Sequence, residues 1–341
     1  MVRARYLPWF RLPLYRRKWH EATRASAGNM NGQVKDGEID LLISEVGLRD
    51  GLQNCRGVMA TESKIAWITA EADAGCREIE VCSFVPPALV KGMTDAVDVV
   101  HHARSIVGLR VAALAPNLRG AIDAMNAGVD KITMPVSVSE SHSQANVRKS
   151  RRAMIDEVRA ACGHRDHLPE TQRPVIEAGM TTAFGCTLEG VVSEREVLAT
   201  AVACREAGVD EIGLADTAGM ANPDQVKRLF KSLKSEVGDA LQGVHLHNTY
   251  GLGLANACAA IEAGATALDS SLGGLGGCPF APGASGNIVT EDLVFMLESM
   301  GLRTGINLEK LLTCRHIVEV ALPEDLLYGH VAAAGLPITM R

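Results

Sequence analysis

One short motif occurs four times along the chain and limits the folds that the chain can adopt. Each copy is an Ala-Gly pair, a short turn and a run of strand-forming residues, and the copies begin at Ala74, Ala127, Ala207 and Ala263. A glycine in this position is typical of a helix that ends in the left-handed conformation, so each copy predicts a helix followed by a strand. The intervals have room for two strand–helix units each. These four strands are therefore the even-numbered members of an eightfold repeat.

The odd-numbered strands are predicted from separate runs at Leu41–Gly47, Leu109–Ala115, Val175–Ala183 and Gly243–Thr249. Helical patterns fill the gaps between strands. Eight strands that alternate with helices between residues 40 and 301 match the size of an α/β protein of the (β/α)₈ TIM-barrel class, about 250 residues. The alternative is an open doubly wound sheet. That fold usually has a glycine-rich fingerprint after its first strand, and residues 45–50 do not contain one.

The chain divides into three predicted parts. Residues 1–37 are a basic extension that we expect to be disordered, and residues 38–305 form the catalytic barrel. Residues 306–341 add an extra C-terminal helical segment to the same domain, with a helix predicted at Leu308–Ala321.

Charge and cysteine content exclude several classes of protein. The net charge is −6, but residues 1–24 alone carry +6, which leaves −12 on the remainder. An acidic body argues against a nucleic-acid surface, and no apolar run is long enough to span a membrane. The cysteines are scattered singly, as in a reducing compartment, so we expect a cytoplasmic protein.

The basic arm leaves one alternative for location, a transit peptide to the mitochondrial matrix. Pro8 and Pro13 interrupt any amphipathic helix there, which favours a disordered leader or a true start at Met30.

Two histidines, His245 and His247, give the strongest indication of chemistry. Side chains alternate along a strand, so we expect both imidazoles to face the C-terminal mouth of the barrel, where this fold has its active sites. Burying two unpaired polar rings is costly, and one shared metal ion would offset that cost. The alternative is a pair of core histidines bonded to neighbouring carbonyl groups.

Asp50 is the natural third ligand. A carboxylate with two imidazoles makes a hard oxygen and nitrogen site that suits Mg²⁺ or Mn²⁺. In the alternative interpretation Asp50 is the turn residue of an Asp-Gly pair, and Arg49 belongs to a surface ion pair. Both alternatives are weakened because these residues follow a predicted barrel strand.

A glycine-rich segment, residues 273–287, supplies two further candidates. Its composition predicts a mobile loop of the kind that closes over active sites. Cys278 is a candidate for proton transfer if its pKa is lowered, and a small buried hydrophobe is the alternative. Asn287 either caps the helix predicted at Ile288–Met300 or binds the metal through its amide oxygen.

Two acids complete the predicted site. We expect Glu80 to point inward from strand 2, where burial among other charges would make it a structural partner of Arg49. Asp216, at the end of strand 6, either contacts substrate, orients a histidine or caps the following turn.

Three segments together resemble the hydroxymethylglutaryl-CoA lyase family, within the wider group of metal-dependent barrel lyases and Claisen-type synthases. They are Glu45–Asn54, Val244–Gly251 and Gly276–Leu293, and the resemblance extends from Ile43 to Leu312. The resemblance implies metal ligation by Asp50, His245, His247 and Asn287. It also implies catalytic roles for Cys278, Arg49 and Glu80, and substrate contacts from Arg49, Gln53, Ser83 and Asp216.

The implied reaction is metal-assisted retro-Claisen cleavage of 3-hydroxy-3-methylglutaryl-CoA to acetyl-CoA and acetoacetate, as in leucine degradation and ketone-body formation. The implied partners are an acyl-CoA thioester and a second copy in a homodimer, with Mg²⁺ or Mn²⁺ as cofactor. Three places depart from the family pattern: Asn248, Cys82-Ser83 and the strand residues Met134–Ser139. Because they lie where the acyl group is expected, a lyase for citramalyl-CoA or a longer branched analogue is the alternative. A condensing synthase and a non-catalytic barrel scaffold are less favoured.

Overall fold

The computed structural model describes residues 39–86, 88–276 and 286–338. Eight parallel strands close into a barrel in which spatial neighbours follow the order of the sequence. The strands are β1 Leu42–Glu45, β2 Glu78–Ser83, β3 Arg110–Leu114, β4 Lys131–Ser137, β5 Val175–Thr181, β6 Glu211–Asp216, β7 Leu241–Leu246 and β8 Ala267–Ser270. The TIM-barrel prediction is therefore confirmed.

Helices surround the barrel. Those that lie between β1 and β5 are α1 Thr61–Ala74, α2 Ala96–Arg104, α3 Leu118–Ala127, α4 Glu140–Val147 and α5 Arg151–Asp166. The later ones are α6 Glu194–Glu206, α7 Pro223–Val237, α8 Gly253–Glu262, α9 Thr290–Ser299, α10 Leu308–Ala321 and α11 His330–Ala334. Within the described residues, none of these helices has both the length and the apolar composition needed to cross a membrane.

The repeated Ala-Gly motif has the predicted conformation. The glycines of all four copies have positive φ angles, 107°, 86°, 101° and 103° for Gly75, Gly128, Gly208 and Gly264. Gly75 also lies close to the segment that precedes α10, because an added Cβ there would be 2.2 Å from the Gly305 carbonyl oxygen. Any side chain at this position would separate α1 from the C-terminal segment.

The C-terminal helix has the predicted bounds, Leu308–Ala321. The Asn307 side chain accepts a hydrogen bond from the Lys310 amide and caps the helix, while the Asn307 amide donates to the Ala74 carbonyl at 2.7 Å. The helix is thus fixed to the end of α1. The division at residue 305 stays a prediction, and the basic arm of residues 1–37 lies outside the described residues.

The first strand is shorter than predicted. β1 ends at Glu45, and Gly47–Gly51 form a single π-helical turn in which the Asp50 and Gly51 amides both donate to the Val46 carbonyl. The Glu45 carboxylate accepts the Gly47 amide at 2.8 Å and turns the chain directly after the strand. The predicted strand through Gly47 is therefore wrong at its end. Short π-helical turns of this kind are common at functional sites.

The N-terminal half of the barrel interior is charged. Lys131 is 7% exposed and contacts Glu177 at 2.8 Å, Glu211 at 3.1 Å and Glu78 at 3.4 Å. Arg110 contacts Glu78 and Glu211. Because buried charges are tolerated only when they are paired, these five side chains stabilise one another as a network.

We predict that Lys131→Met strongly destabilises the protein, because it leaves the buried Glu78 and the half-buried Glu177 and Glu211 with Arg110 as the one cation of the network. Removing one partner from a buried ion pair costs about 3–5 kcal/mol in the free energy of unfolding, which urea denaturation measures. The control is Lys227→Met on α7, since Lys227 pairs with Glu262 on the surface with 43% of its side chain exposed. Equal losses in the two variants would contradict a structural role for the network.

Candidate metal centre

Three ligating side chains meet at the C-terminal mouth of the barrel. Asp50 comes from the π-helical turn, His245 from β7, and His247 from the residue after Leu246 at the end of that strand. One ligand atom of each lies within 4.8 Å of the others. The two imidazole Nε2 atoms are 3.1 Å apart, and His247 Nε2 is 3.9 Å from Asp50 Oδ2. The predicted convergence of Asp50 with the two histidines is therefore present.

Asn287 is held beside these three residues. It forms an isolated antiparallel bridge with His247, and the Asn248 amide donates to the Gly286 carbonyl at 2.7 Å. The Asn287 Nδ2 donates a hydrogen bond to Asp50 Oδ2 at 2.8 Å. The nearby helix α9 begins at Thr290 with Val289 at its N-cap and without a side-chain cap bond, so the capping interpretation of Asn287 is wrong.

The donor set fits a divalent cation. Asn287 Oδ1 is buried and has no hydrogen-bond partner among the described residues, although an unsatisfied buried acceptor costs about 1–3 kcal/mol. Adjacent ligands of an octahedral ion bound at about 2.1 Å lie about 3.0 Å apart, close to the separation of the two imidazole nitrogens. Two imidazoles, a carboxylate and an amide oxygen are a hard set of ligands.

The local electrostatics favour the metal-binding protonation states of Asp50 and His247. Burial alone raises the pKa of Asp50, but the charges of Arg49, His245 and His247 more than reverse this and hold the pKa well below its usual range. Burial and then the charge of His245 lower the pKa of His247 to about 4. At neutral pH Asp50 is therefore a carboxylate and His247 a neutral imidazole, as metal ligation requires.

Asp269, on β8, is a site residue that the sequence analysis missed. Its Oδ2 lies 3.1 Å from His245 Nδ1, because the register of β7 and β8 places His245 directly beside Asp269. Burial alone lowers the pKa of His245, but the hydrogen bond to Asp269 and the charges of Asp50 and Asp269 raise it above its usual value. An acceptor at Nδ1 fixes the tautomer that leaves Nε2 unprotonated for a metal. Alternation along β8 from Ala267 was the available signal, since it places Asp269 on the inner face.

Arg49 is held between two acids. Its Nε donates to Glu80 Oε2 and its Nη1 to Asp50 Oδ1, both at 2.5 Å. Burial raises the pKa of Glu80 to about 7, although the charge of Arg49 lowers it in part. The prediction of Glu80 as a structural partner of Arg49 is confirmed. Among the described residues, the hydrogen bonds of Arg49 use Nε and Nη1, and none uses Nη2.

The other predicted residues differ in their burial. Gln53 is exposed, two residues beyond the π-helical turn. Ser83 is buried, its hydroxyl has no partner among the described residues, and it lines a cavity of about 650 Å³ between α2 and α3. Their roles toward substrate stay predictions. Cys278 and the predicted mobile loop around it lie outside the described residues.

Asp216 caps the turn that follows β6. Its two carboxylate oxygens accept the amides of Met220 and Ala221 at 2.8 and 3.0 Å. Burial raises the pKa of Asp216 to about 6, and the hydrogen bonds from these two backbone amides lower it in part. The capping interpretation is confirmed, and a substrate contact from Asp216 stays a prediction.

The fold and the donor set together define a TIM-barrel protein with a candidate divalent-metal centre on its catalytic face. The HMGL-like family model matches residues 40–318, and the chain therefore belongs to the HMGL-like family.

Named relatives extend the comparison. The chain is 39% identical over 284 residues to hydroxymethylglutaryl-CoA lyase YngG of Bacillus subtilis (strain 168), an alignment that covers 83% of this chain and 94% of that protein. It is 36% identical over 304 residues to the mitochondrial hydroxymethylglutaryl-CoA lyase of Rattus norvegicus, covering 88% and 89% of the two chains. An HMG-CoA lyase from Acinetobacter baumannii, solved with coenzyme A and 3-methylmalate, superposes with a TM-score of 0.81 at 36% identity and covers 90% of this chain and 98% of that one.

We predict that Asp269→Ala weakens Mn²⁺ binding by about 10–100-fold, because His245 loses the acceptor that orients its ring. Asp269→Asn should retain much of the affinity, since an amide oxygen can still accept from Nδ1. Mn²⁺ titration followed by electron paramagnetic resonance measures both. The control is Asp239→Ala, in the exposed turn before β7. An unchanged Mn²⁺ affinity in Asp269→Ala would refute the orienting role.

Proposed function

We propose that this protein is a carbon–carbon lyase that cleaves 3-hydroxy-3-methylglutaryl-CoA to acetyl-CoA and acetoacetate. The observation that carries the proposal is the meeting of Asp50, His245 and His247 beside Arg49 at the barrel mouth. Membership of the HMGL-like family and the names of the relatives support the same reaction and an acyl-CoA substrate.

The reaction breaks the bond between C2 and C3 of the substrate. The tertiary hydroxyl on C3 loses its proton, C3 becomes the ketone carbon of acetoacetate, and the bonding electrons pass to C2 as the enolate of acetyl-CoA. A proton added to C2 completes the products. A divalent cation held by Asp50, His245, His247 and Asn287 would lower the pKa of the substrate hydroxyl and stabilise the negative charge that develops there.

Arg49 is suited to hold the thioester oxygen while the enolate forms. Glu80 and Asp50 fix two edges of its guanidinium, so the remaining N–H groups are preorganised for a substrate oxygen. Donors fixed in advance at a developing oxyanion are among the strongest contributions to catalysis. We propose Cys278 as the group that transfers the proton to C2, a role worth about 10²–10⁴-fold in rate.

The metal, the assembly and the cellular location of the enzyme are also part of the proposal. We propose Mg²⁺ or Mn²⁺ as the metal, a homodimer as the assembly and the cytoplasm as the location, with the mitochondrial matrix as the alternative. The assembly is tested by light scattering, in which a homodimer has twice the chain mass of 36.2 kDa.

A related 3-hydroxyacyl-CoA, such as citramalyl-CoA or a longer branched analogue, is the second candidate substrate. The departures from the family pattern at Cys82-Ser83 and Met134–Ser139 are the reason to test it. At the ends of β4 and β5 the Ser137 hydroxyl lies 2.8 Å from both His142 Nδ1 and the Thr181 hydroxyl. Polar groups in this part of the mouth discriminate between acyl groups that differ in polarity, because a buried polar group that the ligand leaves unpaired lowers affinity.

We predict that chelation abolishes the cleavage of 3-hydroxy-3-methylglutaryl-CoA and that Mg²⁺ or Mn²⁺ restores it. A coupled assay for acetyl-CoA, run on a panel with citramalyl-CoA and longer branched thioesters, checks both metal and substrate. Cleavage of hydroxymethylglutaryl-CoA with the highest kcat/KM of the panel supports the proposal. Cleavage of another thioester alone would establish the second candidate, and full activity in excess chelator would rule out the metal.

We also predict that Cys278→Ser lowers kcat by about 10²-fold or more, because the variant loses the proposed proton donor but keeps the metal ligands. Its Mn²⁺ affinity and its thermal unfolding should match those of the unaltered protein. Cys258→Ser is the matched control, since the Cys258 thiol is half-buried on the outer helix α8 beside Met296. Near-normal turnover in Cys278→Ser would show that the thiol has another role.

A further inference from the structure

Glu45, the last residue of β1, is a buried carboxyl group that touches neither the donor set nor Arg49. It is 0% exposed. Its Oε1 accepts the Gly47 amide at 2.8 Å and the Leu272 amide at 2.9 Å, and its Oε2 accepts the hydroxyl of Thr290 at 2.6 Å. Three donors from three separate segments therefore converge on one side chain.

Each of these segments continues into the candidate metal centre. Gly47 begins the π-helical turn that carries Arg49 and Asp50. Leu272 follows β8, which carries Asp269, by two residues. Thr290 begins α9, three residues after Asn287. Asp50 and Asn287, the first and the last candidate ligands in the sequence, thus belong to segments that are hydrogen-bonded to the same carboxyl group.

The surroundings leave little freedom for these contacts. An added Cβ at Gly47 would lie 2.6 Å from Glu45 Oε1 and 2.9 Å from the Trp67 ring, so only glycine allows the turn to approach the carboxyl group. The Thr290 hydroxyl also lies 2.9 Å from the Ser270 hydroxyl, which extends the contact to the end of β8. Buried networks of this kind rigidify a structure when every member is satisfied.

The Glu45 carboxyl group holds these segments through hydrogen bonds alone, since it has no direct cationic partner among the described residues. Burial raises the pKa of Glu45 to about 8, which the bonds from Thr290, Leu272 and Gly47 lower only in part. In the protonated form its Oε2–H donates to the Thr290 hydroxyl, and that hydroxyl donates to Ser270. A glutamine side chain can reproduce this pattern, with its oxygen accepting both amides and its NH₂ donating to Thr290.

We propose that Glu45 is a positioning residue that sets the distance between Asp50 and Asn287 by tying the π-helical turn to the segments before and after residues 277–285. The inference rests on the metal centre of the proposed function. It assigns a role to a residue that contacts no metal ligand, and it therefore predicts an effect on metal affinity that acts through the backbone.

The test compares Mn²⁺ affinity, by electron paramagnetic resonance titration, in Glu45→Ala and Glu45→Gln. Residues that orient metal ligands typically change affinity by about 10–100-fold, and we expect a loss of this size in Glu45→Ala. Glu45→Gln should bind Mn²⁺ nearly as tightly as the unaltered protein. If Glu45→Ala does not fold, Thr290→Val and Thr290→Ser make the same comparison, with loss expected for valine and recovery for serine.

Glu71→Ala separates positioning from general stability. Glu71 is also 0% exposed and belongs to the same group of buried acids, but its bonded oxygen accepts only the Trp67 indole N–H, at 2.6 Å. We expect Glu71→Ala to lower the melting temperature and to leave Mn²⁺ affinity unchanged. An equal loss of affinity in Glu71→Ala and Glu45→Ala would overturn the inference, as would unchanged affinity in Glu45→Ala. Failure of the unaltered protein to bind Mn²⁺ would instead refute the metal centre itself.

Discussion

The rest of the site depends on the contacts of the Asp50 carboxylate. It bonds Arg49 on one side and the Asn287 amide on the other, and it lies near His247. The half-buried carboxylate is stabilised because each of its oxygens has a partner. Those partners come from the π-helical turn after β1, from the end of β7 and from the segment before α9. The closed barrel brings these elements together, since β8 lies between β7 and β1.

The barrel interior divides its charges between two levels. At the N-terminal ends of the strands, Lys131 and Arg110 are paired with glutamates, and this level requires no ligand. Its packing depends on a small residue, because a Cβ at Gly213 would lie 2.2 Å from Glu177 Oε1. The level at the mouth contains unsatisfied atoms instead, such as Asn287 Oδ1. The lower level supports the scaffold, whereas the upper one is incomplete without a ligand.

The sequence predicted the fold and most of the donor set for physical reasons that are local. A left-handed glycine before each even-numbered strand is a backbone requirement, and it appears directly as Ala-Gly. The spacing of His245 and His247 needs only the alternation of a strand. Alternation along β8 indicates only that Asp269 faces inward, whereas its partnership with His245 depends on the neighbouring strand. The role of Glu45 likewise depends on which segments lie beside it. The π-helical turn was missed because it depends on the Glu45–Gly47 contact, which a strand pattern does not encode.

The balance of charge at the mouth gives an independent reason to expect a divalent cation. Three acids, Asp50, Glu80 and Asp269, lie around a single guanidinium, that of Arg49. Three carboxyl groups thus face one guanidinium, and burial, with the charges of Asp269 and Asp50, raises the pKa of Glu80 to about 7, although the charge of Arg49 lowers it in part. A dication at the donor set would supply the missing charge and favour the ionised form of Glu80. Glu80 would then hold Arg49 as a full ion pair, so that the candidate metal ligands and Arg49 become ordered together.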